Sequence, residues 1–169
     1  MSRTAPLCRA LLLDRAAAAS VEMALISPLF LILIFGAVDL GNYFMSEHVV
    51  VKAVRDGARF ASRQSFTKFD CATNTPDSAM VDTVRNVTRT GQVANSGTPR
   101  LATWTDPTSI TITMRCDATN TYQGIYRGRS APVVQVSARV SYKSLFNHFG
   151  ITTSTLYLNA LSEATVMGL

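Results

Sequence analysis

The sequence predicts an α+β chain: a long N-terminal helix, transmembrane in its first half, packed on a small antiparallel β-sheet of three to four strands, with one extra short helix. Three observations predict it. Residues 23–38 form a run of 16 residues without a charge. Apolar residues then continue at helical spacing to about residue 64. Three later segments alternate apolar and polar side chains with the period of a β-strand.

The apolar run sets the first element. Glu22 stands at its threshold, Ser27 is its only polar side chain, and Pro28 and Gly36 are its only poor helix formers. At the rise of an α-helix, residues 21–40 span about 30 Å, the thickness of a bilayer's hydrocarbon core. A run of this length and purity points to a membrane helix rather than a buried core helix. Pro28 removes the hydrogen bond to the carbonyl of Ala24 and is expected to bend the membrane half. Gly36, Gly41 and Gly57 weaken a helix by up to about 1 kcal/mol each, which close helix contact could offset. Simple flexibility is the other reading of these glycines.

The flanks of the run are unlike those of an ordinary secretory signal. Arg3, Arg9 and Arg15 precede it against one acid, Asp14, a basic leader of cytoplasmic type. A secretory cleavage site would follow the run, but Phe35 fits poorly at −3 of a cut after Ala37. The small residues lie before the run instead, at 16–20, the order of a prepilin-type leader.

Glu22, four residues after Ala18, is followed by Met23-Ala24-Leu25, Pro28, Gly36 and Gly41. A second segment reads Val54-Arg55-Asp56-Gly57-Ala58-Arg59-Phe60-Ala61. Together the two resemble the TadE-like family, minor pseudopilins of tight-adherence (Tad/Flp) pili, over roughly residues 15–64. The resemblance implies a pilin-like fold and cutting by a prepilin peptidase between Ala17 and Ala18, although Gly is usual where this chain has Ala17. It implies assembly or priming of a type IVb (Flp) pilus. The partners it implies are the prepilin peptidase, the Flp major pilin, other minor pseudopilins and the inner-membrane assembly platform. It also implies an inner-membrane, single-pass protein with its N-terminus cytoplasmic and its C-terminal domain periplasmic, incorporated in turn into an extracellular pilus. After such a cut, Ala18 would carry a free α-amine with Glu22 at i,i+4 on the same helix face. A carboxylate there is favoured by the helix dipole, and in a polymer core it could pair with a neighbour's amine. The plainer reading of Glu22 is an interfacial acid that ends a membrane helix.

The organisation that follows is a leader at 1–17, a long helix at 18–64 with its membrane segment at about 21–40, and a periplasmic α+β domain at 65–169. The helix would be some 70 Å long, longer than a bilayer is thick, so its outer half must pack on something. Tyr43, Val50, Val51, Val54, Ala58 and Ala61 provide an apolar stripe for this, and Lys52 and Asp56 are spaced for an i,i+4 ion pair. Net charge is +5, and removal of the leader's three Arg and one Asp leaves about +3. The remaining positives are scattered without a tract, so nucleic acid is not an expected partner; it would need a clustered basic face with stacking aromatics.

Residues 65–74 read as a loop. Thr75 as N-cap and Pro76 at the first helical position predict the short helix, ended by Gly91. Residues 92–107 read as loop, with Trp104 as a packing anchor. Strands are predicted at 110–116, 134–142 and 156–166, joined by a long connection at 117–131 and a turn at 147–150. Their apolar face cannot stand in water, and the outer half of the long helix is its natural cover.

Cys8 lies in the leader, which leaves Cys71 and Cys116 as an even pair in a chain facing an oxidising periplasm. A disulfide between them would enclose 44 residues and contribute roughly 3–4.5 kcal/mol on the chain-entropy argument. No cofactor is expected. No CxxC or Cys/His cluster points to a metal, and His48 and His148 are a hundred residues apart. No nucleophile elbow, phosphate-binding loop or paired-carboxylate signature points to an enzyme. Asn86-Val87-Thr88 matches a glycosylation acceptor, a pattern frequent by chance. The competing function is a bitopic inner-membrane protein that keeps its leader and carries a periplasmic binding module.

Overall fold

The computed structural model describes residues 15–117, 122–149 and 156–168, with side chains from residue 19 onward and none at 148 and 149. Residues 1–14 of the expected leader, Cys8 among them, lie outside the described residues, as do parts of the 117–131 connection and of the turn at 147–150. The chain divides into two units, Met1–Asn42 and Tyr43–Leu169. Helix α1, Arg15–Ser62, continues unbroken through Pro28.

In the second unit, β1 (Phe69–Asp70) and β2 (Thr75–Pro76) form a small antiparallel ribbon. Helix α2 spans Ser78–Thr90. Strands β3 (Ile110–Asp117), β4 (Ala131–Ser141) and β5 (Tyr157–Thr165) form an antiparallel sheet in that order. The architecture is α+β: a long N-terminal helix, two small antiparallel sheets and a short second helix.

The sheet register follows the alternation in the sequence. Met114, Val134 and Ala164 are paired across the three strands, as are Ile112, Val136 and Ser162. This row faces inward, because a strand repeats its side every second residue. One residue along, Thr113, Gln135 and Glu163 line up on the outer face. There Gln135 Nε2 donates to Glu163 Oε1 at 2.9 Å, and Arg115 pairs with Glu163 at 2.9 Å.

The outer half of α1 supplies the other wall of the core. Val50, Ala53, Val54, Ala58 and Ala61 are buried in one cluster with Val84 of α2 and with Ile110, Val134, Val136 and Leu158 of the sheet. Four of the six buried α1 positions from residue 50 to residue 61 are Ala or Gly in an i, i+3, i+4 pattern, which lets the helix backbone come close to its neighbours. At Gly57 the approach is closest: an added Cβ would overlap Thr88 Oγ1 and stand 3.2 Å from Thr88 Cβ. Thr88 is itself fully buried, its hydroxyl donating to the carbonyl of Val84 at 2.7 Å.

Trp104 is the packing anchor expected, buried, with its indole N–H donating to Ser109 Oγ at 2.8 Å. Gly91 caps α2 in the left-handed region, φ 79°, its N–H reaching the carbonyl of Val87 at 2.9 Å. The start of α2 differs from expectation. Asp77, not Thr75, is the N-cap, accepting from the N–H of Met80 at 2.9 Å. Thr75 and Pro76 are drawn out of the helix by ribbon pairing with Asp70 and Phe69, and Asp77 N–H is held by the carbonyl of Lys68. Asp is as good an N-cap as Thr, so nothing opposed the shift. The expected loop at 65–74 also contains a 3-10 turn, Phe66–Lys68, before β1.

The Lys52–Asp56 pair does not form either. Asp56 Oδ2 binds Arg100 Nη1 at 2.8 Å, a partly buried pair that ties the 92–107 segment to α1. A cross-fold guanidinium in a sheltered site outcompetes an exposed lysine set in the less favourable helical order.

Gly57→Ala is expected to destabilise the second unit by about 1–3 kcal/mol through overpacking. Thr88→Ala in the same chain should recover part of the loss. Thermal unfolding of the two variants and the double variant checks the coupling.

Candidate functional site

The functional candidates lie along α1, and the two units contribute different chemistry. In the first, every large apolar side chain at residues 21–40 is 45–72% exposed. A core helix would have buried them. The helix is long and apolar enough to cross a membrane. Its bare surface needs hydrocarbon or other helices around it, because a patch this size is unstable in water.

Glu22 is exposed on the first turns of this surface. Ala17 and Ala18 are helical in backbone, with side chains outside the described residues. Ala18 and Glu22 are one helical turn apart, which places them on one face. Pro28 lies within the helix at a position whose missing N–H leaves the Ala24 carbonyl without its usual partner.

The three glycines divide. A Cβ at Gly36 or Gly41 would meet nothing within 4 Å, whereas Gly57 is pressed on Thr88. No described residue of the first unit packs on Gly36 or Gly41. Gly57 already has its neighbour within the fold.

Cys71 and Cys116 are at disulfide distance, with Cα atoms 5.5 Å apart, inside the range a disulfide requires. They connect the β1–β2 ribbon to the far end of β3. Asn74, at φ 54°, turns the chain between the ribbon strands and accepts from Cys116 N–H at 3.1 Å. Asp70 holds the same turn. Its carboxylate lies below the ordinary value of 3.8, first through the Thr73 hydroxyl and then through the Ala72 N–H.

One functional feature escaped the linear reading. The basic residues look scattered in sequence, yet His48, Lys52, Arg55, Arg59 and Arg63 are the exposed positions from residue 48 to residue 63, along the last turns of α1 and the residue just past it. Spacings of four, three, four and four residues were the signal that could have found this row. Other expected markers carry less. Asn86 is buried and donates to Asn95 Oδ1 and to the carbonyl of Val93, so its acceptor motif lies in the fold and not on a surface loop. Among the described residues, no group of three or more His, Cys, Asp or Glu is placed to hold a metal.

Residues 17–59 match the model of the family described as TadE-like protein. The match takes in Glu22, Pro28, all three helix glycines and both Arg55 and Arg59. No curated protein matches the chain, and no solved structure does.

The lowered carboxyl of Asp70 predicts a pH effect. Protons bind the unfolded chain more readily, so the ribbon turn's contribution is complete above the ordinary carboxyl value and falls away as pH drops through the folded one. Thermal midpoints measured down an acid series should fall less steeply for Thr73→Val than for the parent chain. Replacing Cys71 and Cys116 by Ser should lower stability by about 2–5 kcal/mol, read from unfolding with and without reductant.

Proposed function

With the TadE-like match at residues 17–59 as premise, we propose that this chain is a minor pseudopilin that takes part in assembling or priming a tight-adherence type IVb (Flp) pilus. The observation that carries the reading is the exposure of the whole apolar surface at residues 21–40 within that match. A helix of this kind can be stored in a bilayer and later transferred into a bundle of similar helices, because both surround it with hydrocarbon.

On this reading a prepilin peptidase cuts between Ala17 and Ala18, and the new α-amine meets Glu22 one turn away. In lipid or in a polymer core an unpaired carboxylate is costly, so Glu22 selects a register in which an amine faces it. The amine is its own or that of a neighbouring subunit. Gly36 and Gly41, open in this chain, let a neighbour's backbone approach. The partners are the peptidase, the Flp major pilin, other minor pseudopilins and the inner-membrane platform. The second unit lies on the periplasmic side, where an oxidising environment closes the Cys71–Cys116 bridge.

Retention of the leader is the competing reading, and Ala17 in place of the usual Gly is what favours it. N-terminal sequencing of protein recovered from membranes separates the two. A start at Ala18 is expected, and an intact Met1 would make the chain an anchored binding module instead. Glu22→Ala is expected to insert normally but to reduce piliated cells severely in electron micrographs. Unchanged piliation would remove the amine–carboxylate pairing from the scheme.

A further inference from the structure

Between residues 48 and 63, only five positions are exposed, and they are His48, Lys52, Arg55, Arg59 and Arg63. At 100° per residue they fall within an arc of about 80°, in a row about 22 Å long. There is no acid in the row and no Phe, Tyr or Trp. Among the described residues, the side chains of Lys52, Arg55, Arg59 and Arg63 make no ion pair, and the ion pairs present use other cations.

A solvated face of this length ordinarily mixes both signs, because like charges at i,i+3 and i,i+4 repel along a helix. Here the fold keeps the repulsion. The one acid that could have relieved it from the neighbouring helix positions, Asp56, is turned to Arg100. Among the described residues, no run of acids repeats the row's spacing. Asp77, Asp82 and Glu163 are paired with Lys68, Arg85 and Arg115, and Asp70 and Asp106 are engaged by the hydroxyls and N–H groups of their own turns. A second copy would therefore present no acidic row to this one.

We propose that this row is a docking surface for an acidic helix of a different protein, carrying Asp or Glu at three- and four-residue spacing along one face. Three of the four permanent cations are Arg, whose planar guanidinium takes a carboxylate with two parallel hydrogen bonds. A row one side chain wide, on a rigid helix already packed into its own core, fits a second helix lying alongside. Nucleic acid would want several stacking rings interleaved with the charges, and the row has only the imidazole of His48 at one end. Docking needs only the second unit, so it holds whether residues 1–17 are removed or kept.

The test uses the full chain in phosphatidylcholine nanodiscs and a labelled helical peptide of about 20 residues with Glu repeating the row's spacing. A control peptide has the same composition with its Glu residues distributed around the helix. Fluorescence anisotropy should show the first peptide binding at least about tenfold more tightly, with affinity falling as salt rises. The variant with Lys52→Gln, Arg55→Gln, Arg59→Gln and Arg63→Gln should lose that advantage. Arg55→Gln and Arg59→Gln singly should each weaken binding by about threefold, which covers the case in which the fourfold variant folds poorly. Exposed cations elsewhere, Arg127→Gln and Lys143→Gln, should leave binding unchanged. Equal affinity for the two peptides would falsify the proposal. So would binding that survives the fourfold change in a folded chain, or a row that retains the protein on phosphatidylglycerol vesicles while ignoring the Glu peptide.

Discussion

Close approach of α1 to its neighbours in the second unit is the constraint on which the rest of that unit depends. Ala53, Gly57, Ala58 and Ala61 put almost no side chain between the helix backbone and what packs on it. On β4 and β5 the inner face is modest in size over Val134, Val136, Ala138, Ala160, Ser162 and Ala164, while β3 supplies the larger Ile110, Ile112 and Met114. Three strands with one apolar face need a cover, and a helix that carried Leu or Phe at these positions would be held away from them. At the far end the backbone closes the arrangement: Met167 N–H donates to the carbonyl of Ser62 at 2.7 Å, satisfying the last turn of the helix from the segment that follows β5.

One helix thus answers to two solvents. Its residues 21–40 are apolar on all sides, which is how a helix reads when every face meets hydrocarbon. From residue 50 onward the same backbone geometry carries a narrow small-residue stripe on one side and a cationic row on the other. The change is one of side-chain pattern alone, since the helix itself does not break. The first half is bare and apolar enough to cross a membrane, and the second is packed into a core.

The electrostatics of the second unit have the same division of labour. Most acids are committed inside the fold, where they hold segments together: Asp56 anchors the 92–107 segment, Asp77 caps α2, and Glu163 joins three strands on the outer sheet face. From residue 48 to residue 63, the exposed charges left without an ion pair are positive and aligned. Burial of the helix stripe on one side is what places the row on the other, so the charged surface is a consequence of the packing.

What could be read from the residues alone was whatever depends on local period and composition. The uncharged run at 23–38, the alternation at 110–116 and 134–142, and Gly91 as a helix stop each rest on interactions within a few residues, and the structure agrees with them. The resemblance at Glu22 and at 54–61 was likewise legible, and the family match over residues 17–59 takes in Glu22 and the second segment as far as Arg59. Tertiary structure decided whatever required choosing among distant partners. Asp56 had Lys52 within one turn yet binds Arg100, and Thr75 was a sound cap until ribbon pairing with Asp70 took it. Gly57 differs from Gly36 and Gly41 only because Thr88 arrives opposite it. Local preferences are worth a kilocalorie or so each, about the size of one cap or one exposed ion pair, and a packed contact from elsewhere in the chain easily outweighs them.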